Sequence, residues 1–245
     1  MSNIEVTSNT VFLCWFQGLD HLLKHGPSVN QTSWKLWNKL NPGNIILITD
    51  ENLSHYAPET EKLRYVNNHP FCKISNLLRL ELLSKYGGTW GDISILPTKS
   101  IADIRKKVLT ENRDIFMYRF MPRSVGRDGK RDTSNWFITV KEKDNFLIKL
   151  WNDQYKKEFI SGPFKIYYRM HNILCDLYDT NKDIRRIIES MERVSEHWPH
   201  RFLSERYKDN MEITSDDFMF KRPCDKGVQK ILKYLDLGYV LYALP

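Results

Sequence analysis

The sequence predicts an α/β protein with a central, mostly parallel sheet flanked by helices. Three observations carry this. Two short apolar runs, VFLCWF (11–16) and NIILITD (44–50), enclose a segment of helical period, SVNQTSWKLWNKLN (28–41). Strand, helix, strand at this spacing is the unit from which parallel sheets are built. A long apolar helix over 75–88 then ends in Gly-Gly and gives way to another strand, DISILP (92–97). Finally, 41% of the 245 residues are hydrophobic and 13% aromatic, enough for one large packed core and too much for a disordered chain.

The elements follow in order. VFLCWF is continuous rather than alternating, as expected of a strand buried on both faces. In 28–41, Trp34, Trp37 and Leu40 recur every three residues, and Asn41-Pro42-Gly43 stops the helix. SNLLRLELLSKYGG carries Leu77, Leu78, Leu82, Leu83 and Tyr86, with Ile74 just before, around much of its circumference, so it is well buried. Asn76 and Arg79 lie three apart and share a face. Gly87 is placed as a left-handed stop. In DISILP the side chains alternate, so Asp92 and Ser94 point one way and Ile93 and Ile95 the other. DIFMYRF (114–120) and WFITV (136–140) are further strands, DNFLIKLWNDQYKKEF (144–159) is a helix, and 164–194 is helical. No linker composition or internal repeat divides the chain, so 1–245 reads as one domain. A half up to about residue 110 faces one ligand, and the remainder a second.

Two oxygens on one strand face, Asp92 and Ser94, suit a hard divalent cation or sugar hydroxyls; a strand-edge Asp bonding a backbone amide is the structural alternative. Arg79 can bind a sugar hydroxyl or phosphate, or form a structural ion pair with Glu81 or another acid. The stretch 119–132, with Arg119, Arg123, Arg127, Lys130 and Arg131, reads either as a lid over an anion or as a solvated loop. One of His171, His197 and His200 is a candidate to complete a metal site or contact a diphosphate; the alternative is that each is simply packed or exposed. Cys14, Cys72, Cys175 and Cys224 are far apart, form no C-x-x-C pair and are expected as small core residues. A net charge of +7 favours anionic partners: nucleic acid, acidic lipid head groups or phosphorylated small molecules. No phosphate-binding glycine motif, nucleic-acid reader motif or local catalytic-triad signature is present. With no long apolar run near residue 1, the expectation is a soluble, cytoplasmic protein, with peripheral membrane contact at most.

The order of the pieces adds to this. CWFQG (14–18), NPGNIILITDENLSHY (41–56), KISNLLRLELLSKYGGTWGDISI (73–95) and SNWFITVKEKDNFLIKLW (134–151) together resemble the capsular polysaccharide synthesis glycosyltransferases and the wider sugar transferases with a DXD motif. YYRMHNI (167–173) and WPH (198–200) are a looser echo. The resemblance implies a GT-A fold, a Rossmann-like sandwich, and transfer of sugar from a nucleotide diphosphate sugar to a glycan, assisted by Mn²⁺ or Mg²⁺. By position it makes Asp92 the first acid of the DXD motif and Arg79 the contact to the donor sugar. Trp15 and Gln17 then lie near the nucleotide base, with Asn76, Gly88 and Ser94 completing the donor site. The metal would be held by Asp92, Ser94 and His200. Ser94 stands where the second acid usually is and Asn76 where an Asp usually is, so negative charge is lost at both places. An inverting reaction needs a carboxylate base; Asp128, Asp132, Asp216 and Asp217 are candidates, with Asp132 first. The rival expectations are an inactive sugar-binding domain and a basic nucleic-acid-binding protein.

Overall fold

In the computed structural model, residues 5–119, 133–204 and 206–235 are described. The chain opens with β1 (Val11–Cys14), α1 (Leu19–His25), α2 (Ser28–Leu40) and β2 (Ile45–Ile48). Short helices α3 (Leu53–Tyr56) and α4 (Pro58–Leu63) lead into α5 (Phe71–Tyr86). Next come β3 (Gly88–Gly91), β4 (Ile95–Pro97), α6 (Ile101–Val108), β5 (Ile115–Arg119) and β6 (Thr133–Val140). Helices α7 (Phe146–Ser161), α8 (Arg169–Thr180) and α9 (Lys182–Ser190), strand β7 (Met219–Lys221) and α10 (Asp225–Tyr234) complete the order.

Five strands form one sheet in the order β2-β1-β3-β6-β5. β1 is parallel to both β2 and β3, with Val11 opposite Ile45 on one side and Thr89 on the other. β6 runs antiparallel to β3 and to β5, so four of the five strands point the same way. The α/β class and the mostly parallel sheet are as the βαβ spacing predicts. Alternation along β1 sorts the core into two layers. Phe12 joins Leu78, Leu82 and Trp151 on the side of α5 and α7, while Val11 and Leu13 join Trp37 and Ile104 on the side of α2 and α6. A third cluster, with Leu36, Leu96, Phe220 and Ile231, packs α10 against a small sheet of β4 and β7.

Two local readings change. The stretch DISILP is not one strand: Thr89 and Trp90 place the strand earlier, at Gly88–Gly91, in the middle of the sheet. Asp92 to Ser94 form a turn closed by the Ile95 amide donating to the Asp92 carbonyl (3.0 Å), and β4 belongs to the other sheet. The alternation expected of Asp92 and Ser94 is therefore replaced by turn geometry, which still brings both side chains together. Gly87, at φ 71° and ψ −141°, lies in a region open essentially to glycine, and a Cβ there would meet the Glu142 carbonyl carbon at 2.7 Å. It ends α5 as expected while letting β3 run against Glu142.

The cysteines also depart from expectation. Cys72 is exposed and the other three are only partly buried. Cys14, Cys72 and Cys224 sit at or next to the ends of elements, where packing is incomplete, while Cys175 lies mid-way along α8 on a partly exposed face.

Candidate active site

The chain leaves β1 to form β2 on one side and returns to form β3 on the other. The strand order reverses there, and in open α/β sheets the crevice beyond the carboxyl ends of such strands is where ligands bind. A cleft of about 690 Å³ occupies this place. Trp15, Phe16 and Gln17 follow β1 into it, and Asp92 follows β3. Helix α5 adds Asn76 and Arg79 from its shared face, and Asn135 of β6 closes the far wall.

The centre of the cleft is a buried ion cluster. Arg79 is 5% exposed. Its Nε donates to the Ser75 carbonyl (3.3 Å), its Nη1 to the Asn135 carbonyl, and its Nη2 lies 3.3 Å from Asp92 Oδ1. The guanidinium stacks over the Trp90 ring at 4.9 Å. Trp90 Nε1 donates to Asp92 Oδ1 at 3.1 Å. On the other oxygen, Asp92 Oδ2 accepts from Lys221 Nζ at 2.6 Å, and the same ammonium donates to Ser94 Oγ at 3.0 Å. Lys221 arrives there because β7 pairs with β4, setting Lys221 opposite Ile95. Burial pushes the Asp92 carboxyl up, but the charges of Lys221 and Arg79, with hydrogen bonds from Lys221 and Trp90, outweigh it and hold Asp92 below the ordinary carboxylate value. Asp92 is therefore ionised.

Arg222 follows Lys221, lines the cleft and is exposed. Its backbone is left-handed at φ 49°, which costs roughly 1 kcal/mol for a residue with a Cβ. The Arg222 amide donating to the Ser94 carbonyl (2.9 Å) fixes that conformation. Strain of this sort collects at functional sites. Arg79 and Arg222 line the cleft with Asp92 as the one carboxylate among its described lining residues, and Lys221 stands just behind. Positive charge is in surplus. Cys14 also borders the cleft, and burial pushes its thiol up, so it stays neutral.

Of the residues singled out from the sequence, Trp15, Gln17, Asn76, Arg79, Asp92 and Ser94 all line this one cleft. The choice between Arg79 partners resolves to Asp92. Glu81 instead accepts from the Glu59 and Thr60 amides (3.0 and 2.7 Å), capping the start of α4. Gly88 lies at the opposite end of β3, where a Cβ would meet the Thr10 carbonyl at 2.8 Å; it serves sheet packing and does not line the cleft. His200 is also off the lining. Its Nδ1 bonds to the Glu196 carbonyl (2.7 Å), and its ring meets Trp136 edge-on. Asp216 pairs with Lys107 and Asp217 with Arg201, both beside a separate cavity of about 540 Å³. Asp128, Asp132, Arg123, Arg127, Lys130 and Arg131 lie outside the described residues. Lys221 and Arg222 had no signal in the sequence beyond adjacent basic residues in MFKRP. Their place follows from a strand pairing across more than a hundred residues.

The donor set at Asp92 fits a divalent cation poorly. Among the described residues no group of three or more His, Cys, Asp and Glu side chains could hold a metal. The two oxygens that the D-I-S spacing offers already hold an ammonium. A divalent ion seated about 4 Å from it would be repelled by on the order of 8 kcal/mol at an effective dielectric of about 20. The Lys221 side chain is only 8% exposed, so it has no ready way aside.

Fold and site together define an α/β protein with a cationic cleft at the strand-order reversal. The chain belongs to the capsular polysaccharide synthesis protein family, whose family model matches residues 2–230. Among solved structures, the PaToxG glycosyltransferase is similar at 15% identity and a TM-score of 0.49, over 95% of this chain and 87% of that one. No curated protein sequence matches. Among the described residues no helix is long and apolar enough to cross a membrane.

Proposed function

We propose that the chain is a glycosyltransferase that moves a hexosyl or pentosyl unit from a nucleotide diphosphate sugar, a UDP-sugar first, to a hydroxyl of a glycan acceptor. The observation that supports this most is the cationic cluster Arg79–Asp92–Lys221–Arg222 in the crevice between β1 and β3, in a member of a polysaccharide synthesis family. In the reaction the bond from the anomeric carbon to the β-phosphate oxygen breaks with its electron pair on the phosphate. The acceptor oxygen bonds to that carbon, and its proton passes to the departing phosphate oxygen or to solvent. Fixed cations facing the departing charge stabilise the transition state without reorganising.

The remaining walls fit the rest of such a donor. Trp15 and Gln17 border the side suited to the base, and donation from Trp15 Nε1 to His21 Nδ1 (3.1 Å) fixes that indole. Phe71 and Tyr167, 66% and 69% exposed at the cleft, offer ring faces to sugars. Lys73, donating to the Ile166 and Tyr167 carbonyls (2.9 and 2.5 Å), ties the Tyr167 segment to α5. The residues at Asp92 do not fit a metal, so the departing charge faces Arg79 and Arg222 instead.

A thermal-shift panel of UDP-, GDP- and CMP-sugars, with and without Mn²⁺, tests this. A true donor at about 100 times its Kd should stabilise by roughly 2.7 kcal/mol, about 5 °C or more for a chain of this size. No shift with any of them would sink the proposal.

A further inference from the structure

We infer that the β7 pair Lys221–Arg222 replaces a divalent cation at this motif, and that the chain holds its nucleoside diphosphate without metal. The inference rests on the transferase reading above and adds the electrostatic device that serves it. Lys221 Nζ occupies the position between Asp92 Oδ2 (2.6 Å) and Ser94 Oγ (3.0 Å) that a cation bridging the two oxygens would take. A serine hydroxyl accepts from an ammonium without adding charge, whereas a second carboxylate here would call for more positive charge than one lysine supplies. The loss of an acid at residue 94 and the gain of a buried lysine on it are thus two sides of one arrangement.

Arg222 supplies the other half. Lys221 lies behind Asp92 and Ser94 and acts as a positioning residue: it neutralises Asp92 and keeps the cleft positive. Arg222 lines the cleft itself, and its planar fork suits a phosphate pair. Its left-handed backbone turns the chain out of β7 directly after Lys221, so one short segment delivers both charges. Arg79 provides a third cation, fixed from α5.

The test uses the full chain, stripped with EDTA, and UDP, GDP and ADP as probes in calorimetry. For the nucleotide that binds, affinity in EDTA should lie within about threefold of that in Mn²⁺. Arg222→Gly removes the guanidinium and relieves the left-handed strain. It should keep or raise Tm while weakening that nucleotide about tenfold or more. Lys221→Met should weaken binding in EDTA and make it respond to Mn²⁺, since Asp92 is then open to a metal; Lys221→Arg should restore metal-free binding. If wild-type binding requires Mn²⁺, or if Arg222→Gly binds as wild type, the inference is overturned while the transferase reading stands. If none of the nucleotides binds with or without metal, both fall.

Discussion

Two buried ion clusters, each beside a cavity, are built on opposite plans. Asp217 and Arg201 form a closed, balanced pair. Arg201 Nη1 and Nη2 reach the two Asp217 oxygens at 2.8 and 2.5 Å, and the same nitrogens donate to the Trp198 and Glu212 carbonyls. Asp217 Oδ2 also accepts the Thr214 amide at 2.8 Å. The carboxylate fork is met by a guanidinium fork, and the partners are all within the protein. Asp92 is instead shared between Arg79 and Lys221, with Arg222 close behind in the chain. The first arrangement clamps the segment 198–217. The second leaves positive charge facing open space, which is what the proposed diphosphate donor requires.

The largest test of this contrast is Asp92→Asn. It strands two buried cations, so it should cost about 3–5 kcal/mol of stability. Transfer activity should fall about 100-fold or more, because Arg79 and Lys221 lose the group that positions them. Urea melts read the first effect and turnover of the folded fraction the second. Activity near wild type in the folded fraction would remove Asp92 from the machinery. Asp217→Asn should cost about 3 kcal/mol as well, since it breaks a buried pair. It should leave nucleotide affinity within about twofold. A selective loss of nucleotide binding there would erase the distinction between clamp and site.

The same contrast explains what the sequence could reveal. The βαβ start, α5 and the convergence of Asn76, Arg79 and Asp92 were legible because they rest on local periodicity and on residues less than twenty apart. Asp92 and Ser94 could be picked as an oxygen pair, but their occupant comes from residue 221, and no local pattern marks a three-residue strand such as MFK. The lone acid with a serine two residues on reads equally well as a weakened metal site or as a lysine site. Only the pairing of β4 with β7 decides between them. The family resemblance puts Gly88 in the donor site, yet the strand formed by Thr89 and Trp90 places it at the far end of β3.

Glu196 sharpens the comparison by supplying an acid whose burial is not outweighed. Burial pushes its carboxyl up to about 7, against the weaker opposing influence of the Trp136 indole and the charge of Arg206. Asp92, half-buried, is carried the other way by two cations in contact. The two acids should therefore act oppositely on stability. Asp92 stabilises the fold above its ordinary value of 3.8, and that contribution is lost as pH falls through its lower folded value. For Glu196 the fold favours the protonated form. Its stability is fully present below 4.5 and drains as pH rises to about 7. Glu196→Gln keeps a neutral group of the same shape. At pH 4.5 it should match wild type, and at pH 8 it should exceed it by on the order of 1 kcal/mol after allowing for partial exposure, about 2–4 °C in Tm. Melting curves of both proteins across that range measure the difference. An equal loss at both pH values would mean that Glu196 is held by its hydrogen bonds, and that cation contact is not what separates it from Asp92.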